Sequence, residues 1–229
     1  MSHRRKALVV GATGLIGGEC VRQALALDSY SEVVVFGRRK LSLAHSRLTQ
    51  IIGPLAEAEA LLKDCKVDDV FCCLGTTIKK AKTQANFKTV DYEYPVSIAE
   101  VMLNNGAEHF CVVSATGANA SSYFFYNRVK GELEKKLESL GYPYLTIMRP
   151  SLLVGDRDEV RLGESLSAAV GAVIKPLMKG PLLEISPVDA DKVARVMVRE
   201  AEKIKDGLRY QNRLVIKSRE IQEYDHKGA

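Results

Sequence analysis

KALVVGATGLIGG, residues 6–18, sets how the rest of the chain is read. Residues 7–10 form an apolar run rich in β-branched side chains, and from Leu15 the apolar positions fall at helical spacing through Ile16, Val21 and Leu25. The glycines therefore sit at a strand-to-helix turn. Gly11 allows a sharp turn, Gly14 removes a Cβ where a pyrophosphate would approach, and Gly17 lets the new helix pack closely on its strand. Free N–H groups at such a helix start attract an anion. The G-x-x-G-x-x-G spacing departs from the G-x-G-x-x-G dinucleotide fingerprint, so a buried turn without a ligand is the competing reading.

The 229 residues, 46% hydrophobic and 27% charged, suit one compact domain, expected to be a single nucleotide-binding unit over residues 1–229. The net charge is +5, but acidic and basic residues are mixed along the chain, so nucleic-acid binding is not indicated. Basic residues ahead of the glycine-rich run imitate a signal peptide, yet the small-residue cleavage site is missing and no apolar stretch is long enough for a bilayer. Five cysteines without a C-x-x-C fit buried thiols in a reducing compartment, and four scattered histidines suggest no metal site. These features lead to the expectation of a cytoplasmic protein with no membrane contact.

Apolar strand-like runs at 7–10, 32–36, 48–52, 69–73, 109–114, 144–149 and 213–216 alternate with helical patterns. That order predicts an α/β fold, a Rossmann-like doubly wound parallel sheet. Residues 150–187, where Gly and Pro interrupt short apolar segments after the sixth strand, are expected to build the substrate side of the cleft.

The second strand ends in FGRRK, where an NAD-binding unit usually places an acidic residue for the ribose hydroxyls. Arg38 and Arg39 instead offer guanidinium forks suited to a 2′-phosphate, which favours NADP. In FCCLGTT, Gly75 ends a buried strand and allows close approach of a cofactor. The segment 112–141 is the most informative. Tyr126 and Lys130, four residues apart, share a helix face, and Ser114 ends the preceding strand. A carbonyl reduced by hydride must also gain a proton. A phenol with an ordinary pKa near ~10 can supply it once a neighbouring cation stabilises its anion. Tyr126 is thus read as proton donor, Lys130 as that cation and a ribose ligand, and Ser114 as the group orienting the carbonyl oxygen.

The ordered set GRRKL, CCLGTT, SATGANASSYFFYNRVKGELEKKLESL and RPSLLVGDRDEVRLGE resembles the short-chain dehydrogenase/reductase superfamily, and within it the atypical branch containing the Tat-interacting protein and its bacterial relatives. That resemblance implies NADPH held by Thr13, Gly14, Leu15 and Ile16 in the first turn and by Arg38 and Arg39, with Leu74 and Gly75 beside it. It also implies Tyr126 and Lys130 as the active pair, and Leu153 and Arg161 as further nucleotide contacts. The expected activity is NADPH-dependent reduction of a small carbonyl substrate. An NADP(H)-sensing regulator with little turnover, and an epimerase or dehydratase of the same fold, stay open beside it, as does a protein partner or homodimer.

Overall fold

A computed structural model describes residues 4–154 and 186–227. Its sheet is built from runs of Val, Ile, Leu and Phe that do not alternate with polar residues. Such runs suit strands covered on both faces, which all-parallel sheets require. The strands are β1 (Arg5–Val10), β2 (Tyr30–Gly37), β3 (Leu48–Ile52), β4 (Asp69–Cys72), β5 (His109–Val113), β6 (Tyr144–Arg149) and, near the end of the chain, β9 (Arg213–Lys217). They lie in the order β3-β2-β1-β4-β5-β6-β9, every neighbouring pair parallel. All seven expected strands are present, with no end displaced by more than two residues. The charged Arg5 hid the true start of β1, because its partner Asp69 lies in another strand.

Parallel neighbours need crossovers, and helices supply them. On one face α1 (Leu15–Ala26) packs against α7 (Ala190–Lys205), joining Ala24, Val193 and Met197 in one buried cluster with Val9, Val35 and Phe71. On the other, α2 (Ala58–Leu62), α5 (Tyr94–Asn104) and α6 (Phe125–Ser139) bring Leu62, Ile98, Met102 and Leu133 onto Leu8, Phe110 and Ile147. Between β4 and α5 run two short helices, α3 (Ile78–Ala81) and α4 (Gln84–Lys88), and a wider π-helical turn, Thr89–Glu93. The chain ends its described part in α8 (Ser218–Lys227).

β1 lies in mid-sheet. The chain leaves it towards β2 and β3, then returns to its other side as β4 and proceeds outward. Connections from β1 and β4 therefore run in opposite directions, opening a crevice beyond their carboxyl ends. Two strands of two residues each, β7 (Leu153–Val154) and β8 (Val188–Asp189), form a separate parallel pair. A two-residue strand has no periodicity to detect. Most of the expected substrate-side segment, 150–187, lies outside the described residues.

At the opposite, amino-terminal edge of the sheet a buried polar network ties five strands together, β1, β2, β4, β5 and β6. The Asp69 carboxylate accepts from Arg5 Nε at 2.8 Å and Nη2 at 3.0 Å, and from the Tyr30 hydroxyl at 3.0 Å. His109 Nδ1 lies 3.0 Å from Asp69, and Nε2 lies 2.9 Å from the Thr146 hydroxyl. The Asp69 carboxylate can only accept, so His109 Nδ1 carries the proton, and in the neutral ring Nε2 accepts from the Thr146 hydroxyl, which itself accepts from Arg209 Nη1 at 2.6 Å. Burial pushes Asp69 up, but hydrogen bonds from His109 and Arg5 and the Arg5 charge outweigh it and hold the carboxyl below its ordinary value. Burial drives His109 down, despite Asp69.

Asp69→Ala strands the Arg5 guanidinium and removes the acceptor for Tyr30 and His109, so urea denaturation should register a loss of about 3 to 5 kcal/mol. Stability should also respond to acid. His109 is depressed in the folded chain, so the unfolded chain binds the extra proton first, and stability falls as pH drops below the unfolded histidine value near ~6.5. Asp69, also depressed, keeps its contribution until the pH falls below ~4, the unfolded carboxylate range. His109→Gln should flatten the first of these two losses, read from unfolding midpoints between about pH 7.5 and 5.

Candidate active site

α1 begins without a cap. Gly14 stands at the N-cap in an extended conformation, no side chain bonds the first turn, and that turn carries no acidic residue. Its N–H groups are thus left for another acceptor, and the helix dipole favours an anion there. The turn leading to it is tight. Gly11 has φ +83°, and a Cβ there would lie 2.6 Å from the Cys73 carbonyl oxygen. A Cβ on Gly17 would lie 2.3 Å from the carbonyl oxygen of Gly11, so Gly17 packs the helix on its own turn more than on the strand.

Two hollows flank this turn. The smaller, about 60 Å³, is bordered by Gly11 and Thr13, by Arg38 and Arg39 beyond β2, and by Leu74. Both arginines are exposed. The larger, about 470 Å³, runs from Gly14, Leu15 and Ile16 along Leu74 and Gly75 to Ser114, Tyr126 and Lys130, with Leu153 on its wall. The Ile16 side chain belongs to the core, so its backbone is what it offers the cleft. Arg161 lies outside the described residues.

α6 carries Tyr126 and Lys130 on one face, one turn apart. The helix sits hard against the preceding loop, since a Cβ on Gly131 would lie 2.1 Å from the Ala120 nitrogen. The Tyr126 ring packs on Phe87 with centroids 5.6 Å apart. Lys130 is buried, its Nζ 2.8 Å from Asp91 Oδ1 and 3.4 Å from the Val113 carbonyl. Burial is the largest influence and opposes the ammonium, yet Asp91 and Tyr126 together hold Lys130 above the usual lysine value. It is a fixed positive charge in the cleft.

Ser114 follows β5 directly, and its backbone N–H extends the ladder to Met148 O at 2.8 Å. Its hydroxyl donates to the buried Glu134 carboxylate, which Arg149 Nε also grips at 3.0 Å. In this arrangement Ser114 faces the cleft as an acceptor, where a carbonyl-orienting donor was expected. Sequence reasoning missed both this carboxylate and Asp91. Glu134 continues the row Tyr126, Lys130 at four-residue spacing, a signal that was legible. Asp91 gave none, because it lies in the π-helical turn and reaches Lys130 only through the fold. Its second oxygen accepts from the Thr76 N–H at 2.8 Å, tying the Gly75–Thr76 loop to the lysine.

A family described as NAD(P)H-binding matches residues 11–203. Protein HTATIP2 of Rattus norvegicus is 36% identical over 169 residues, covering 72% of this chain and 69% of its own length. Protein FMP52, mitochondrial, of Candida albicans is 34% identical, covering 85% and 87% respectively. Among solved structures, a UDP-glucose 4-epimerase from Thermotoga maritima superposes with a TM-score of 0.67 at 18% identity, over 93% of this chain and 76% of its own. A short chain dehydrogenase family protein from Francisella tularensis gives 0.66 at 16% identity, over 93% and 96%. At such identities these structures bear on the fold alone.

The expectation of a cytoplasmic protein is overturned by these relatives, since the FMP52 proteins of several yeasts are named mitochondrial. The features behind it report a reducing environment and no membrane-crossing run, and neither separates one reducing compartment from another. An uncapped helix start after a tight glycine turn, the serine, tyrosine and lysine on one cleft, and matches spanning most of the chain agree: the protein belongs to the NAD(P)H-binding family of HTATIP2 and FMP52, an atypical branch of the short-chain dehydrogenases/reductases.

Proposed function

We propose that the protein is an NADPH-dependent oxidoreductase that reduces a carbonyl on a small molecule, or forms one in the reverse direction. The observation that carries this reading is a single cleft with an uncapped helix start at one end and Tyr126 beside the buried, charged Lys130 at the other. The residues present fit the cofactor. N–H groups of Leu15 and Ile16 suit its pyrophosphate, Gly75 leaves space beside Lys130, and Arg38 and Arg39 suit a 2′-phosphate. When bound, the nicotinamide supplies or accepts the hydride.

Tyr126 supplies the proton to the carbonyl oxygen. Lys130 stabilises the resulting phenolate by its charge and is itself kept charged by Asp91. Ser114 can turn its proton from Glu134 to the carbonyl oxygen. Glu134 keeps Arg149 when this happens, so the exchange leaves no buried charge unpaired. Residues 1–229 act as one nucleotide-binding domain in this reading, with 150–187 completing the substrate side. The position of residues 150–153 on the cleft wall supports that.

Tyr126→Phe should keep NADPH affinity and lose carbonyl reduction by about a hundredfold or more, since the ring still fills its place without its proton. Reduction at the wild-type rate across a carbonyl panel, followed as NADPH absorbance, would leave Tyr126 a packed aromatic outside the chemistry, whereas no turnover of any carbonyl by the wild type would favour a cofactor-sensing role. Substituting both Arg38 and Arg39 by alanine should narrow the preference for NADPH over NADH by about tenfold, less than two buried contacts would give because both arginines are exposed. Equal affinity of the wild type for the two cofactors in calorimetry contradicts the assignment.

A further inference from the structure

Beyond the carboxyl ends of β5, β6 and β9 lies a second cavity of about 190 Å³, lined by Thr116, Gly117, Arg149, Lys217 and Ser218. It neighbours the cleft through two links: Thr116 is two residues from Ser114, and Arg149 grips the carboxylate that takes the Ser114 proton. Ser218 is 1% exposed, and its Oγ has no hydrogen-bond partner among the described residues. Buried hydroxyls are ordinarily satisfied, so this one points to a missing acceptor or donor. Ser218 also opens α8, a ten-residue helix whose first-turn N–H groups face the same end.

The charges around the cavity decide what the missing group is. Arg149 is already met by Glu134, and the Thr116 hydroxyl donates to the Arg149 carbonyl at 3.1 Å, so both contribute shape. Lys217 is exposed and its ammonium enters no ion pair among the described residues. Against it stands Glu220, whose carboxylate accepts the Lys217 N–H at 2.7 Å and lies in the first turn of α8. An ammonium without an ion pair among the described residues, a buried hydroxyl without a partner there and a helix start border one small space.

We propose that this cavity holds an oxyanion, a carboxylate or a phosphate, carried by the substrate whose carbonyl lies against Tyr126. The link to that substrate rests on the oxidoreductase reading, whereas the oxyanion site itself does not. Ser218 donates its proton to the anion, the α8 N–H groups donate beside it, and Lys217 supplies the charge. The substrate class is then a carbonyl compound with an acidic tail. Neutral ketones lack the group these donors await.

The test is calorimetric titration of the full chain, saturated with NADPH so that the cofactor's own phosphate positions are filled, with inorganic phosphate and separately with acetate. Saturable binding of at least one is expected, weakened about tenfold in Lys217→Ala and also in Ser218→Ala, and tightened in Glu220→Gln. Lys217 is exposed and Ser218 loses only an unpartnered hydroxyl, so both variants should stay folded, as thermal melting will show. Phosphate without acetate points to a phosphorylated substrate, and acetate without phosphate to a carboxylic acid. No saturable binding of either, or equal binding in wild type and both weakening variants, overturns the site. The same titrations run without NADPH separate the two ideas: a chain that never binds NADPH refutes the oxidoreductase reading while the dependence on Lys217 and Ser218 still judges the cavity.

Discussion

Parallel strands can be joined only by crossovers, and a sheet that starts in its middle must send those crossovers both ways. Here the reversal falls between β1 and β4, whose ends are flush, with Val10 paired to both Phe36 and Cys72. Everything functional hangs on the gap this leaves. The bare start of α1 borders it from β1, the Leu74–Gly75 turn borders it from β4, and α6 closes its far end. No side chain had to be recruited to make the crevice, since topology alone prevents the loops from covering it.

The two ends of the same sheet handle buried charge in opposite ways. At the amino edge, Asp69 is surrounded by Arg5, Tyr30 and His109, and all of its hydrogen-bonding capacity is spent inside the protein. Such a site locks strands together. At the carboxyl edge, Lys130 has Asp91 and one long contact to the Val113 carbonyl, and it faces open space. An ammonium needs three acceptors, so this lysine keeps donor capacity for a ribose or a phenolate. Asp91 also holds the Thr76 backbone, so the Gly75–Thr76 loop and the lysine charge share one carboxylate.

The relatives and the solved structures speak to different levels. The similarity to HTATIP2 and FMP52 covers 72% and 85% of this chain and shows the family. The epimerase-like structures share the sheet and its crevice at identities too low to carry side-chain roles. The compartment lay beyond reach of composition because unpaired thiols look alike wherever glutathione keeps them reduced.

Strand positions, the helix that presents Tyr126 and Lys130, and the turn at Gly11 were all legible in the chain itself, because each is encoded by neighbours within a few residues: apolar runs, four-residue spacing, a glycine where φ must be positive. The strand order was legible only by rule, through the alternation of elements. What the tertiary structure decided was every relation between distant residues. Asp91 meets Lys130 across a separation of 39 residues, Asp69 meets Arg5 across a separation of 64, and Ser114 gives its proton to Glu134 where a free donor was expected. Local pattern records which side chains share a face. It holds no record of which buried charge will neutralise another, because that pairing exists only once packing has removed both from water.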